Sequence, residues 1–338
     1  MKLLGFSCGR KMGNTEVLVK EALMGAEDVG GVEVEFVRLL DMDIRACRFC
    51  KVCLKWTGGP EACIIKDDAA FLYNCIMDCD GLILGAPVYS LDRPGLLKMF
   101  EDRMLGPTVD AAGVRELIKG EETGEGTRVG PNFSGGQRIH IDRRVLKMRV
   151  GALITDGGAS TPHWVCFALP LLYTFTFSPQ IEIIDHLSVL KAQPYPLGMV
   201  VLHDKAIKRA RLLGRHVAEA MKKPIEQVKW MGDEPGMCPV CHCNLLLING
   251  KNPVECPVCG ISGTLKVDGD KISVNFPQKQ REHSRLTLLG KLDHQIEIRN
   301  IMAEQAPRAS EVPPKVEKYK NYLTPLKPPK KRPAKDNK

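Results

Sequence analysis

The first residues that could do chemistry are Cys47, Cys50, Cys53 and Cys63, spaced C-x2-C-x2-C-x9-C and followed by Ile64-Ile65-Lys66-Asp67-Asp68. Thiolates at two-residue gaps on a tight loop can take three corners of a cubane iron–sulfur cluster, with a fourth ligand from slightly further on. A zinc knuckle or a set of free thiols is the competing reading; ligand count and softness favour the cluster. A second set, Cys238-Pro239-Val240-Cys241 and Cys256-Pro257-Val258-Cys259, makes two C-x2-C knuckles fourteen residues apart. Such a pair forms a tetrahedral S4 site between two turns, for which structural zinc is the default. Rubredoxin-like iron, which would make the module an electron carrier, is the runner-up. His242 and Cys243 crowd the first knuckle and read as bystanders, with Cys243 as a substitute ligand.

The third constellation is the loop Phe6-Ser7-Cys8-Gly9-Arg10-Lys11-Met12-Gly13-Asn14-Thr15. It joins an apolar run to a helical pattern. A strand end that feeds a helix N-terminus presents free backbone N–H groups and the positive end of the helix dipole. Ser7, Asn14 and Thr15 add side-chain donors, Arg10 adds charge, and the loop holds no acidic residue. Gly9 and Gly13 permit backbone conformations that a side chain would hinder. This chemistry suits a phosphate. Neither Gly-Lys-Ser/Thr nor Gly-x-Gly-x-x-Gly is present, so the loop is not a Walker A or a dinucleotide fingerprint. An ordinary loop capped by Asn14 is the plainer alternative.

The loop resembles the Gly-Ser-Pro-Arg-Lys-x-Gly-Asn-Thr signature of NAD(P)H-dependent FMN reductases and iron–sulfur flavoproteins. Arg10, Lys11, Gly13, Asn14 and Thr15 match it, while Phe6 and Cys8 stand where the pattern has Gly and Pro. Ala86-Pro87-Val88-Tyr89-Ser90 resembles the family's Pro-Val-Tyr turn. Leu97-Lys98-Met99-Phe100-Glu101-Asp102-Arg103 resembles its Leu-Lys-x-Phe-x-Asp-Arg helix. Thr155-Asp156-Gly157-Gly158 resembles its third flavin loop, although the family's Gly-Gly-Gln does not follow. The resemblance covers roughly residues 1–220, apart from one insertion. It implies FMN held by Ser7, Arg10, Gly13, Asn14 and Thr15 at the phosphate. Pro87, Val88, Tyr89 and Ser90 would lie at the isoalloxazine edge, and Thr155, Gly157 and Gly158 beyond it. It also implies a [4Fe–4S] cluster on Cys47, Cys50, Cys53 and Cys63, with a longer gap before Cys63 than is usual. Family relatives are homo-oligomers with FMN near a subunit interface, so the same is expected here.

These sites need a frame. Apolar runs at 2–7, 81–86, 149–154 and 181–184, with an alternating run at 32–37, read as strands. Helical patterns fall at 14–26, 69–79 and 91–104, and an apolar helix within 163–177. Strands alternating with helices predict an α/β fold, a doubly wound parallel sheet, and the family resemblance implies that it is flavodoxin-like, of order 2-1-3-4-5. A small C-terminal zinc ribbon is added to it. The FMN domain is expected over 1–222, with the cysteine loop at 41–68 and an insertion at 106–148. That insertion exceeds the usual connection of about 2–6 residues. Arg128, Arg138, His140, Arg143 and Arg144 within it could clamp an anion or form a solvated face. The ribbon module is expected at 236–276, a helix at 277–305, and a disordered Pro/Lys-rich tail at 306–338. His163 and Trp164 read as either flavin neighbours or helix-start and core residues. Cys75 and Cys79, one helical turn apart, read as core cysteines.

Charge narrows the partners. The chain of 338 residues has net charge +8, but residues 306–338 hold ten Lys/Arg and three Asp/Glu. The remainder is close to neutral, which argues against a nucleic-acid partner. The longest apolar run contains Pro170 and falls short of the ~20 residues that span a bilayer. No export signal opens the chain, and metal-binding thiols suit the cytoplasm. The expected function is an FMN-dependent oxidoreductase that passes electrons between a [4Fe–4S] cluster and FMN, with NAD(P)H or a ferredoxin-like carrier as partner. The alternatives are an NAD(P)H-dependent FMN or quinone reductase without a cluster, and a non-enzymatic zinc-ribbon binding protein. No catalytic acid or base stands out.

Overall fold

The computed structural model describes residues 1–50, 52, 63–104, 111–123, 142–233 and 236–326. Five strands form one parallel sheet: β1 (Lys2–Ser7), β2 (Glu33–Arg38), β3 (Gly81–Pro87), β4 (Arg149–Asp156) and β5 (Ile181–Val189). Their order is β2-β1-β3-β4-β5, the flavodoxin-like order expected from sequence. β3 and β4 are buried along their whole length, as strands covered on both faces must be.

Successive side chains feed two separate apolar clusters. Leu3, Ile83 and Ala152 face one; Leu4, Phe6, Leu84 and Leu153 face the other. Helices α1 (Asn14–Val29) and α6 (Asp204–Met221) cover the first face. The second is covered by α2 (Ala69–Asp78), α3 (Gly95–Arg103), α4 (Ala111–Thr123) and α5 (Ala168–Phe175). α1 and α6 approach through two glycines. A Cβ on Gly25 would fall 2.0 Å from the Arg211 carbonyl oxygen, and one on Gly214 would fall 1.7 Å from that of Ala22. Arg211 then bonds Glu21 and Asp28 at 2.8 Å across the same contact. This contact fixes α1, whose N-terminus opens the phosphate loop.

Three boundaries near the carboxyl edge of the sheet differ from expectation. α3 begins at Gly95 rather than near Leu91. Ser90 and Leu91 take positive φ values of 50° and 72°, and Tyr89 and Asp92 exchange backbone hydrogen bonds. This turn, with Pro94 before the helix, delays its start. β4 and β5 run on to Asp156 and Val189 because each pairs the other to its end.

The cysteine-rich module near the C-terminus forms a three-stranded antiparallel sheet, β6 (Val254–Glu255), β7 (Ser262–Asp268) and β8 (Lys271–Asn275). The apolar residues at 245–248 contribute a single bridge, Leu247 to Glu255. The module's four knuckle cysteines, Val258, Ile261 and Phe276 join the apolar cluster that holds Phe6, Phe100 and Phe175. Lys291, on α7 (Leu288–Gln305), is almost fully buried and donates to the Phe177 carbonyl at 2.5 Å.

The chain divides into two compact units, Met1–Gln295 and Ile296–Lys338. Within the second, the expected tail carries helical turns at Ala306–Glu311, Val312–Val316 and Glu317–Tyr319. Local ion pairs such as Arg308–Glu311 and Lys315–Glu311 support them. Residues 327–338 lie outside the described residues. Among the described residues, no helix is long and apolar enough to cross a membrane.

Candidate flavin and metal sites

The loops after β1, β3, β4 and β5 converge at the carboxyl edge of the sheet on a crevice of about 190 Å³. Gly9, Arg10, Gly13, Asn14 and Thr15 form one wall; Pro87, Val88 and Tyr89 form another; Gly157 and Gly158 form a third. This is the switch-point crevice of an open α/β sheet. The α1 N–H groups at Asn14, Thr15 and Glu16 have no intrahelical acceptor, and Gly13, at the N-cap position, brings no side chain to them. The glycines are sterically required. A Cβ on Gly9 would meet Thr15 at 2.7 Å, and one on Gly157 would meet Val165 at 2.7 Å. An uncapped helix pole at the end of a glycine loop, flanked by two further loops, fits a phosphate-bearing flavin.

The expected side chains divide into those that face the crevice and those that build it. Ser7 is fully buried and accepts from the Gly9 N–H at 3.2 Å, so it shapes the loop from beneath. Asn14 spends its amide on the segment after β5. It donates to the carbonyls of Ala192 and Gln193 at 3.0 and 2.9 Å and accepts from the Val200 N–H at 3.0 Å. Arg10 bonds the Tyr195 hydroxyl and the Pro194 carbonyl, and its guanidinium lies 4.8 Å from the Tyr195 ring centre. Thr155 turns away to Ser188 at 3.1 Å, and Ser90 projects on the exposed turn. Thr15 donates to Asp156, whose carboxyl lines the crevice. Burial raises the Asp156 carboxyl to a pKa of about 6, against the smaller opposing effect of the Thr15 hydroxyl.

Asp156, Ala192 and Pro194 are therefore crevice residues that the sequence did not single out. Asp156 sits between two residues that it did. β5 carries no glycine-rich ending, but its carboxyl end lies at the same edge, and that position alone is a signal. His163 and Trp164 are exposed on a short 3-10 turn, Pro162–Trp164, so neither is a core residue. Trp164, Phe167, Tyr89 and Tyr195 are exposed aromatics on the loops around the crevice.

The cysteine loop is described at Cys47, Cys50 and Cys63; Cys53 lies outside the described residues. Cys47 lines a void of about 490 Å³ together with Arg45, Arg48 and Lys66. The two ends of the loop are tied by Asp67, which accepts from the Arg45 and Ala69 N–H groups at 2.9 and 3.2 Å and pairs with Arg103 on α3. Burial alone would raise Asp67, but Arg103 and those N–H groups hold it below the usual carboxylate range. The Cys63 side chain lies beside the same guanidinium and, after Asp67, favours its charged form. A basic lining and a guanidinium beside sulfur suit an anionic thiolate cluster.

The sulfur atoms of Cys238, Cys241, Cys256 and Cys259 lie within 4.8 Å of one another, and all four residues are buried. Cys238 and Cys259 are 3.3 Å apart, and Cys241 and Cys256 are 3.4 Å apart. This donor set fits one tetrahedral metal. Cys243 stands outside it, accepting from the Leu245 N–H at 3.3 Å. His242 stacks on Trp230 at 3.7 Å, Trp230 meets His186 edge-on at 4.9 Å, and His186 shares a 3.1 Å hydrogen bond with Tyr173. These rings join the first knuckle to β5 and α5.

Arg128, Arg138 and His140 of the insertion lie outside the described residues. Arg144 is tied to Asp142, Asp78 and Asn74 at 2.6–2.8 Å, which gives it a structural role.

The sequence model of an NADPH-dependent FMN reductase family matches residues 1–161. A flavone synthase of Aspergillus candidus is 32% identical over 288 residues, 82% of this chain and 81% of that one. An iron–sulfur flavoprotein of Methanocaldococcus jannaschii is 35% identical over 144 residues, 42% of this chain and 69% of that one. Among solved structures, a flavone reductase superposes with a TM-score of 0.77 at 28% identity, covering 97% of this chain and 100% of that one.

Proposed function

This chain belongs to the NADPH-dependent FMN reductase and iron–sulfur flavoprotein family, and from that membership we propose that it passes single electrons between a [4Fe–4S] cluster and FMN. The chain is a flavin-dependent oxidoreductase, and FMN and NADPH are its family's cofactor and reductant. FMN supplies hydride and one-electron chemistry; the protein supplies position and electrostatics. The observation that carries the assignment is the convergence of four strand-end loops on the open N-terminus of α1.

In this reading the α1 pole holds the phosphate, while Arg10 and Asn14 hold the segment at 192–195 in place. Val88, Tyr89, Gly157 and Gly158 enclose the ring. Cys47, Cys50, Cys53 and Cys63 hold the cluster, with Arg103 and Asp67 fixing the loop that bears them. Cys238, Cys241, Cys256 and Cys259 hold zinc in a structural role. The basic lining around Cys47 supports the cluster. A ferredoxin-like donor and a homo-oligomeric assembly complete the proposal.

A second reading, a cluster-free NAD(P)H-dependent reductase of a planar aromatic acceptor, is favoured by two observations. Two relatives that match 82% and 97% of this chain are named for flavones; exposed Tyr89 lines the crevice, and Trp164, Phe167 and Tyr195 are exposed on the segments that follow β4 and β5. Anaerobic purification with flavin, iron, sulfide and zinc analysis separates the two. About four iron and four sulfide per FMN supports the relay; FMN with zinc and no sulfide, after reconstitution, supports the second reading.

A further inference from the structure

The crevice that suits a phosphate has a carboxyl built into its wall. Asp156 ends β4 with 6% of its surface exposed, and Thr15, its hydrogen-bond partner, is 2% exposed. Thr15 is the second residue of α1, so the carboxyl lies beside the helix pole that would receive a phosphate. A helix N-terminus stabilises one anion there. Two anions in one desolvated site repel each other, and one of them must be neutralised.

The other groups around Asp156 leave its charge uncompensated. On the phosphate loop, Arg10 is committed to Pro194 and Tyr195, and the Cys8 thiol is held neutral by burial. From the β3 turn comes the neutral Tyr89 phenol, raised further by burial. From the segment after β5 comes the Tyr195 phenol, already bonded to Arg10. Besides burial, only the Thr15 hydroxyl acts on the carboxyl appreciably.

We propose that Asp156 is the specificity-determining residue for the charge of the bound flavin: its ionised form competes with a phosphate for the α1 pole, and its protonated form admits one. The proposal rests on the reading of the crevice as an FMN site. Asp156 is a crevice-lining residue, so it acts on the ligand directly. Riboflavin, which has no phosphate, should be indifferent to it.

The test measures FMN and riboflavin dissociation constants by flavin fluorescence at pH 5.5, 6.5 and 7.5, for the full-length wild type, Asp156→Asn and Thr15→Val. The flavin phosphate has its own second ionisation near pH 6, so the readout is the difference between wild type and Asp156→Asn. If only the protonated form accepts the phosphate, apparent affinity scales with its population. FMN affinity should then fall on the order of tenfold more in wild type than in Asp156→Asn between pH 5.5 and 7.5. Riboflavin affinity should stay flat in both. Thr15→Val, which removes the hydrogen bond that favours the ionised carboxyl, should move the wild-type inflection to higher pH. Identical FMN profiles in wild type and Asp156→Asn overturn the proposal. So does weaker FMN binding by a folded Asp156→Asn at pH 7.5, which would make the carboxylate a flavin ligand. Failure of the FMN reading looks different: wild type would bind no FMN at any pH.

Discussion

The Arg103 guanidinium on α3 forms a buried ion pair with Asp67, whose side chain is fully buried at the far end of the cysteine loop. One pair thereby ties a helix to both ends of a loop, since Asp67 also accepts from the Arg45 N–H. Removing one partner of a buried pair leaves an unpaired charge, at a cost of about 3–5 kcal/mol. Asp67→Asn should therefore lower stability at pH 7 by about that amount. Because the folded Asp67 pKa is depressed, its contribution is present above the ordinary carboxylate value and is lost as pH falls below it. The gap between denaturant melts of wild type and variant should narrow as pH falls below the ordinary carboxylate value. A gap that stays constant with pH would contradict the charge argument.

The ligand set of the loop is checked by two serine variants. Cys63 shares the Arg103 guanidinium, whereas Cys75 sits half-buried on α2, its thiol raised by burial. After anaerobic reconstitution, Cys63→Ser should lose most of its iron and sulfide, and Cys75→Ser should keep both. FMN content should be unchanged in each. Retention of iron in Cys63→Ser with loss in Cys75→Ser would reassign the fourth ligand.

Asp156 also carries a stability signature of its own. Its folded pKa of about 6 lies above the unfolded value. The folded state therefore holds the proton more tightly, and stability falls as pH rises through that range. Asp156→Asn should be more stable than wild type at pH 7.5 by about 1–3 kcal/mol, and equal to it near pH 4. Flavin-free protein, melted at both pH values, reads this without any ligand.

The ribbon should not melt alone. Its cysteines, Val258 and Phe276 share an apolar cluster with Phe6 and Phe175. Chelation should therefore lower the melting temperature of the whole first unit in a single calorimetric transition. X-ray absorption on the metal-loaded protein should give four sulfur neighbours at about 2.3 Å. A separate low-temperature transition would show that the ribbon folds independently.

Much of this was legible in the chain. The doubly wound sheet follows from apolar runs alternating with helical patterns, its strand order from the resemblance of the three loops to the family's, and the ribbon from two C-x2-C knuckles. Side-chain direction was harder to read. Ser7 and Thr155 look like ligands by type, yet they turn inward to Gly9 and Ser188. β4 is buried on both faces, so hydrophobicity there carries no parity to tell Thr155 from Asp156. Asn14 satisfies residues 192–200, far away in sequence, which a local motif cannot reveal. The β7–β8 hairpin carries a local signature of its own. Gly269-Asp270 is its two-residue turn, with Gly269 at φ 58°, and Gly-Asp between strands is a hairpin signal.

The ring stack at the first knuckle gives the protein internal optical reporters. Of the three tryptophans, Trp230 lies face to face with His242, the residue after Cys241. Trp164 stands exposed on the loop that follows the Gly157-Gly158 wall. Emission from Trp230 should respond to metal at the knuckle, and emission from Trp164 to flavin in the crevice. With Trp56 also replaced by Phe, a Trp164→Phe protein would isolate the first signal and a Trp230→Phe protein the second. Loading of the two sites could then be timed against each other in one stopped-flow trace, without any added dye.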